Sequence, residues 1–344
     1  MKTHVIFYSG GKSSFAVAEY VVENVCKEDE QVLLYFTDTL WEDEDVIRFL
    51  YEGADVLKLP MLVQSRGITP AQLMVNKRFL ANNRVGLCSK ELKMKVAMDY
   101  FKEGTKPEVE YWHNRHFLKE EDFLNGEITL YFGISFEEMH REGPIRANWK
   151  PFEVVMPLID HFIEPNEILK KYGLIQPRQY DKGFSHANCK SRCVKAGQAH
   201  FLNLLKTDPK TFYELMEQEI IISEYIRYTK QPSIKSGKRP DYMYKDVYEF
   251  VSTGEKSPKI KHLLDTHMYR KKFLLGVDRK GRSIKKPYTF MKNLSLEELE
   301  KKPLQLDLFD WGACGCFVEF DKTPTDNHFI IPTSEFETEV ATYI

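Results

Sequence analysis

The stretch "VIFYSGGKSSFAVAEYVV", residues 5–22, decides how the first half of the chain is read. Strand-forming residues run into Ser9, then come Gly10, Gly11, Lys12, Ser13 and Ser14. Phe15, Ala18, Val21, Val22 and Val25 follow at helical spacing. A glycine pair between a strand and a helix lets backbone amides approach an anion closely. The helix N-terminus adds a partial positive charge and Lys12 a full one. The stretch therefore predicts a phosphate cradle; the plain alternative is an ordinary glycine turn. It is not a Walker A loop, because the first glycine of that motif would fall on Ile6, inside the strand.

Working outward, apolar strands alternate with amphipathic helices. "QVLLYFTDT" (31–39), "LKLPMLVQ" (57–64) and "EITLYFGIS" (127–135) read as further strands. "EDEDVIRFLYEGADVL" (42–57), "TPAQLMVNKRFL" (69–80) and "SKELKMKVAMDYFKEG" (89–104) read as helices. That alternation predicts βαβ units and a parallel sheet, an α/β fold. Residues 106–127 read as an irregular insertion. After "EVVMPLID" (153–160) the pattern changes to helices, including a long one over 208–229 with Asp208 as N-cap and Pro209 in its first turn. Two domains are expected, 1–160 and 161–344, the second mainly helical.

The chain has 344 residues, is 42% hydrophobic and carries a formal net charge of −2. No apolar run approaches the ~18 residues of a membrane span. The first residues lack a signal-type apolar stretch, so a cytoplasmic location is expected. Charge is uneven. Residues 225–302 hold 20 lysines and arginines against 9 aspartates and glutamates, leaving the remainder acidic. With Tyr228, Tyr242, Tyr244, Tyr248, Tyr269 and Tyr288 interleaved, this block suits a nucleic-acid partner, or equally a solvated lysine-rich surface.

Six cysteines in a chain of this size do not suggest a disulfide scaffold. Cys189 and Cys193, four residues apart, would share a helix face. Cys314 and Cys316 flank a glycine. Together they offer four thiolates, suited to an iron–sulfur cluster or to zinc; burial as apolar cysteines is the alternative. His186 and His200 flank the first pair, and Cys88 reads as a small core residue or a sulfur carrier.

"SGGKSS" resembles the SGGxDS loop of the PP-loop ATP pyrophosphatases, with Ser13 where that family has aspartate. "RVGLCSKELK" (84–93) is similar to a segment of phosphoadenosine phosphosulfate (PAPS) reductases and supplies Arg84, Cys88, Lys90 and Lys93. "YFGISFEEMHR" (131–141) is similar to the superfamily's G-x-x-x-E-x-x-R segment and supplies Gly133, Glu138, His140 and Arg141. With "TDT", "CVKAGQ" and "GACGCF", the resemblance extends over nearly the whole chain, to bacterial and phage proteins labelled PAPS reductase family or adenine nucleotide alpha hydrolase.

The resemblance implies a PP-loop domain that binds ATP with Mg²⁺ and cleaves it between the α and β phosphates, adenylating a substrate. It places the nucleotide on Ser9, Gly10, Gly11, Lys12, Ser13, Ser14, Asp38, Gly133 and Glu138. Lys12, Asp38, Lys93 and Arg141 would be catalytic. Cys189, Cys193, Cys314 and Cys316 would hold the cluster, and a sulfur donor would be a partner for transfer to a nucleobase. Asp38 has a plainer alternative as a cap on the acidic helix that follows. Two other functions stay open: a reductase of adenylylated sulfate, and a nucleotide-binding module without turnover.

Overall fold

The computed structural model describes residues 1–82, 85–267, 288–291 and 294–301, and the backbone of 273–277 and 283–286. Arg84, Tyr269, Cys314 and Cys316 lie outside the described residues, so the four-cysteine set can be followed only through Cys189 and Cys193.

The chain divides into two compact units, one of Met1–Pro70 with Gly86–Cys193, the other of Ala71–Val85 with the described residues from Val194 on. The boundary expected at 160 thus falls inside the first unit, and the segment after Pro70 belongs to the second. A linear reading misses this, because a unit is defined by what its side chains bury against and not by order along the chain.

The first unit begins with β1 (Lys2–Phe7), α1 (Lys12–Asn24), β2 (Gln31–Thr37), α2 (Glu44–Leu57) and β3 (Met61–Ser65). α3 (Pro70–Lys77), which belongs to the second unit from Ala71 on, comes next along the chain, and the first unit resumes with a π-helical segment Ser89–Met94 running into α4 (Lys95–Glu103). β4 (Val109–His113), β5 (Glu127–Phe132), α5 (Glu142–Asn148) and β6 (Glu153–Val155) complete the sheet. α6 (Pro157–Asp160), α7 (Pro165–Tyr172) and α8 (Arg178–Asp181) close the unit. The strand order is β4-β3-β2-β1-β5-β6. All pairings are parallel except β3 with β4. β4 arises within the stretch read as an insertion; its "VEYWH" is an edge strand with mixed exposure, which carries little alternation.

Strand periodicity sorts the core. Ile6, Leu34, Phe36 and Val63 face one side, where Phe15 and Val21 of α1, Phe49 and Leu50 of α2 and Leu169 of α7 cover them. Val5, Phe7, Leu33 and Tyr35 face the other, under Ala97 and Phe101 of α4 and Ile145 of α5. Phe7 stacks on Phe132 with centroids 4.3 Å apart and meets Trp149 at 4.9 Å. Burial of each such side chain stabilises by about 1.5–3 kcal/mol. The sheet is therefore covered on both faces, as parallel sheets require.

The second unit is mainly helical: α9 (Gln198–Thr207), α10 (Pro209–Thr229), α11 (Pro232–Lys235), α12 (Tyr244–Thr253) and α13 (Pro258–Thr266). A two-stranded antiparallel ribbon, β7 (Phe273–Val277) and β8 (Ser283–Lys286), precedes α14 (Leu296–Glu300). Asp208 caps α10 as expected, its carboxylate accepting from the Thr211 N–H at 3.1 Å. Eight consecutive residues of α10, 219–226, are buried, so it is the unit's central helix rather than a surface one. Among the described residues no helix is long and apolar enough to cross a membrane.

Candidate functional site

The sheet reverses its direction of growth at β1: β2 lies on one side and β5 on the other. In open α/β sheets ligands bind outside the carboxyl ends of the strands at such a switch point. The glycine loop leaves β1 there. Gly10 takes φ +75°, a left-handed conformation that favours glycine, and a Cβ on it would come within 2.5 Å of Val46. Gly133, at the end of β5, is just as constrained. Its Cβ would lie 2.9 Å from the Ser14 backbone nitrogen, so glycine is what lets the first turn of α1 seat against β5.

Ser14 holds the loop from inside. It is buried, its hydroxyl donates to the Gly11 carbonyl at 2.8 Å, and it accepts the Ser9 N–H at 3.2 Å. Ser14 thus ties the glycine loop to its own first turn. Gly11 caps α1 with no side-chain hydrogen bond, leaving the first-turn amides to other acceptors. Tyr180 of α8 reaches this turn: a Cβ on Gly11 would lie 2.8 Å from its phenol oxygen. Burial pushes the Tyr180 phenol up to about 12, with the nearby Lys12 backbone working against the shift. The Lys12 ammonium stands 4.9 Å from the Tyr180 ring centroid and donates to Asn166 Oδ1 at 3.0 Å.

A second cluster forms after β2. Asp38 continues the β2 ladder through its N–H to the Gln64 carbonyl, and its carboxylate accepts the Leu40 N–H at 2.7 Å. It does not cap the following helix: that cap is Asp43, which accepts from the Asp45 N–H. Burial raises the Asp38 carboxyl above its ordinary range. The Leu40 bond lowers it, the neighbouring Glu42 charge raises it and Lys93 lowers it. Glu42 has a fully enclosed side chain, accepting the Cys189 N–H at 2.5 Å and lying 3.5 Å from the Lys93 ammonium. Lys93 is itself buried, on the π-helical turn, a distortion often found at functional sites. Arg141 is buried as well and pairs with Glu138 one turn earlier on the segment that follows β5.

Cys189 and Cys193 are both buried, but not on a common helix face. Cys189, Lys190 and Ser191 all have positive φ, at 56°, 49° and 59°. Three left-handed non-glycine residues in a row are strained, at about 1–3 kcal/mol each. The turn is held from outside itself: Glu42 takes the Cys189 amide, and Arg192 donates to the Trp41 carbonyl at 3.2 Å with its guanidinium 4.7 Å from the Trp41 ring. The C-x3-C spacing read as a helix face is thus a left-handed turn docked on the segment after β2.

In the first unit residues 9–14, Asp38 and Gly133 follow β1, β2 and β5, Glu138 and Arg141 stand on the segment after β5, and Lys93 lies on the π-helical segment before α4. Among these, Asp38 and Lys93 act on each other through charge. Sequence reasoning missed Glu42, Tyr180, Asn166 and Arg192. Glu42 was hidden in "WEDEDV", where an acidic run reads as a helix start. Comparisons with protein-family models, with curated proteins and with solved structures find no match to this chain.

In the second unit part of the basic block is paired. Lys256 meets Glu217 at 2.5 Å, Lys259 meets Asp246 at 2.8 Å and Lys301 meets Glu297 at 2.9 Å. Tyr244 and Tyr248 stack with centroids 5.5 Å apart, and Tyr242 is exposed.

Proposed function

We propose that the chain is a PP-loop nucleotide enzyme that binds ATP at the carboxyl end of β1 and cleaves it between the α and β phosphates. The observation that carries this reading is the glycine loop at the switch point, with first-turn amides and Lys12 at the mouth of α1. A substrate oxygen attacks the α-phosphorus, the bond to the bridging oxygen breaks, and pyrophosphate leaves on the loop amides and Lys12. Lys93 and Arg141 offset the charge developing on the phosphates. Asp38 offers an oxygen to Mg²⁺, which when bound would neutralise phosphate charge. A second nucleophile then displaces AMP from the adenylated substrate. Cys189 and Cys193 are the described half of a thiolate set that suits an iron–sulfur cluster, or zinc, for sulfur transfer. The basic block would bring a nucleic-acid substrate.

Ser13, standing where the resembled loop carries aspartate, favours a second reading, a module that binds nucleotide without turnover. Magnesium-dependent release of pyrophosphate and AMP from α-labelled ATP, in the presence of candidate nucleic acids, separates the two. ATP binding without either product would leave only the module, and no ATP binding at all would overturn both.

A further inference from the structure

At the opposite end of β1 from the glycine loop, three side chains from different segments converge. His4 stands on β1, Cys26 follows α1, and Glu30 precedes β2. One ligand-type atom from each lies within 4.8 Å of the others. His4 Nε2 is 2.9 Å from Glu30 Oε2, and that carboxylate oxygen also accepts the Lys27 N–H at 3.0 Å. The imidazole is 2% exposed, so its orientation is set by the fold. Its second nitrogen, Nδ1, lies 2.9 Å from the hydroxyl of Tyr131 on β5.

The geometry points to a zinc-class divalent cation held by His4 Nε2, Cys26 Sγ and a Glu30 carboxylate oxygen, with water in the fourth place. Three features support it. Zinc bonds of about 2.0–2.3 Å put tetrahedral donors roughly 3.3–3.8 Å apart, so the three atoms need shifts on the order of 1 Å. A metal-bound imidazole ordinarily donates its other N–H to an oxygen, and Tyr131 is placed to receive it. One thiolate and one carboxylate balance the cation's two charges, so the loaded site is neutral. Binding frees His4 Nε2 of its proton, leaving a neutral imidazole with its one proton on Nδ1, and releases the thiol proton to solvent. A mixed nitrogen, sulfur and oxygen set selects zinc over the magnesium that accompanies nucleotides. The ion would fasten the α1–β2 connection to the start of β1, stabilising the first unit by mass action. This inference is independent of the nucleotide reading.

The test uses the full chain, reduced and stripped with a chelator, then titrated with Co²⁺ and with Zn²⁺. Wild type should show thiolate-to-cobalt absorption in the near ultraviolet. Cys26→Ser should bind one equivalent fewer; any ion on other cysteines cancels in that difference. Tyr131→Phe should keep the stoichiometry and lose about 10–100-fold in affinity. Excess Mg²⁺ should displace nothing. If Cys26→Ser does not fold, Glu30→Gln serves, with an expected loss of tenfold or more in affinity. Wild-type stoichiometry and affinity in the variant, or displacement of Zn²⁺ by Mg²⁺, would overturn the site.

Discussion

Two glutamates with enclosed side chains behave differently in the two units. Glu42, in the first, accepts the Cys189 N–H and faces the Lys93 ammonium. Glu219, in the second, accepts the N–H groups of Phe290 and Leu296, at 2.7 and 2.9 Å, and no cation among the described residues reaches it. Burial pushes the Glu219 carboxyl up to about 8, with its two backbone bonds working against the shift and the Glu298 charge adding to it. The same residue type thus does two jobs. One is half of an ion pair set among strand ends; the other is a clamp tying the segment before α14 to the central helix. What separates them is the presence of a counter-charge in a low-dielectric setting.

That contrast can be broken first at Glu42. Glu42→Leu leaves a buried ammonium and the strained Cys189 turn without their partner. It should cost about 3–5 kcal/mol, read from urea midpoints. A cost under about 1 kcal/mol would mean that the pair does not hold the turn. Next in size, Lys12→Ala should weaken ATP binding by about 1.5–3 kcal/mol, tenfold or more, by calorimetry. Equal affinity would remove the loop assignment while leaving Glu42 untouched.

Glu219 sharpens the other half of the comparison. A carboxyl whose folded pKa is raised contributes stability that is complete below its unfolded pKa, ordinarily near 4.5, and is lost as pH rises through about 8. Glu219→Gln loses one of two backbone bonds, about 1 kcal/mol, at pH 5. The deficit should shrink as pH rises to 9, since only the wild type titrates. A pH-independent deficit would show that Glu219 stays ionised. The smallest effect is expected at Tyr180. Tyr180→Phe removes the hydroxyl that stands beside the loop backbone at Gly11 and competes for its space, and ATP should bind a few-fold tighter, by about 0.5–1.5 kcal/mol. Weaker binding would make the phenol a partner of the nucleotide rather than a competitor.

The glycine loop was legible because local chemistry alone demands it: only glycine takes φ +75° at Gly10 without strain. The parallel core was legible from strand alternation, and Asp208 as a cap from its place before Pro209. Cys189 was misread because a four-residue spacing carries no record of handedness, and the turn takes its shape from Glu42, more than a hundred residues away. Asp38 was weighed as a cap on the strength of its position, yet Asp43 sits one residue before the helix and wins that role.

Sequence by itself determined the strand–helix alternation of the parallel sheet and the glycine loop, because these follow from side-chain period and backbone sterics within a few residues. Tertiary structure alone decided the pairing of Glu42 with Lys93, the Tyr180 hydroxyl beside the glycine loop, the left-handed turn at Cys189 and the meeting of His4, Cys26 and Glu30. Each depends on groups from separate segments sharing a low-dielectric space. The energy of such a meeting is set by burial and partner geometry, neither of which is written in the spacing of residues along a chain.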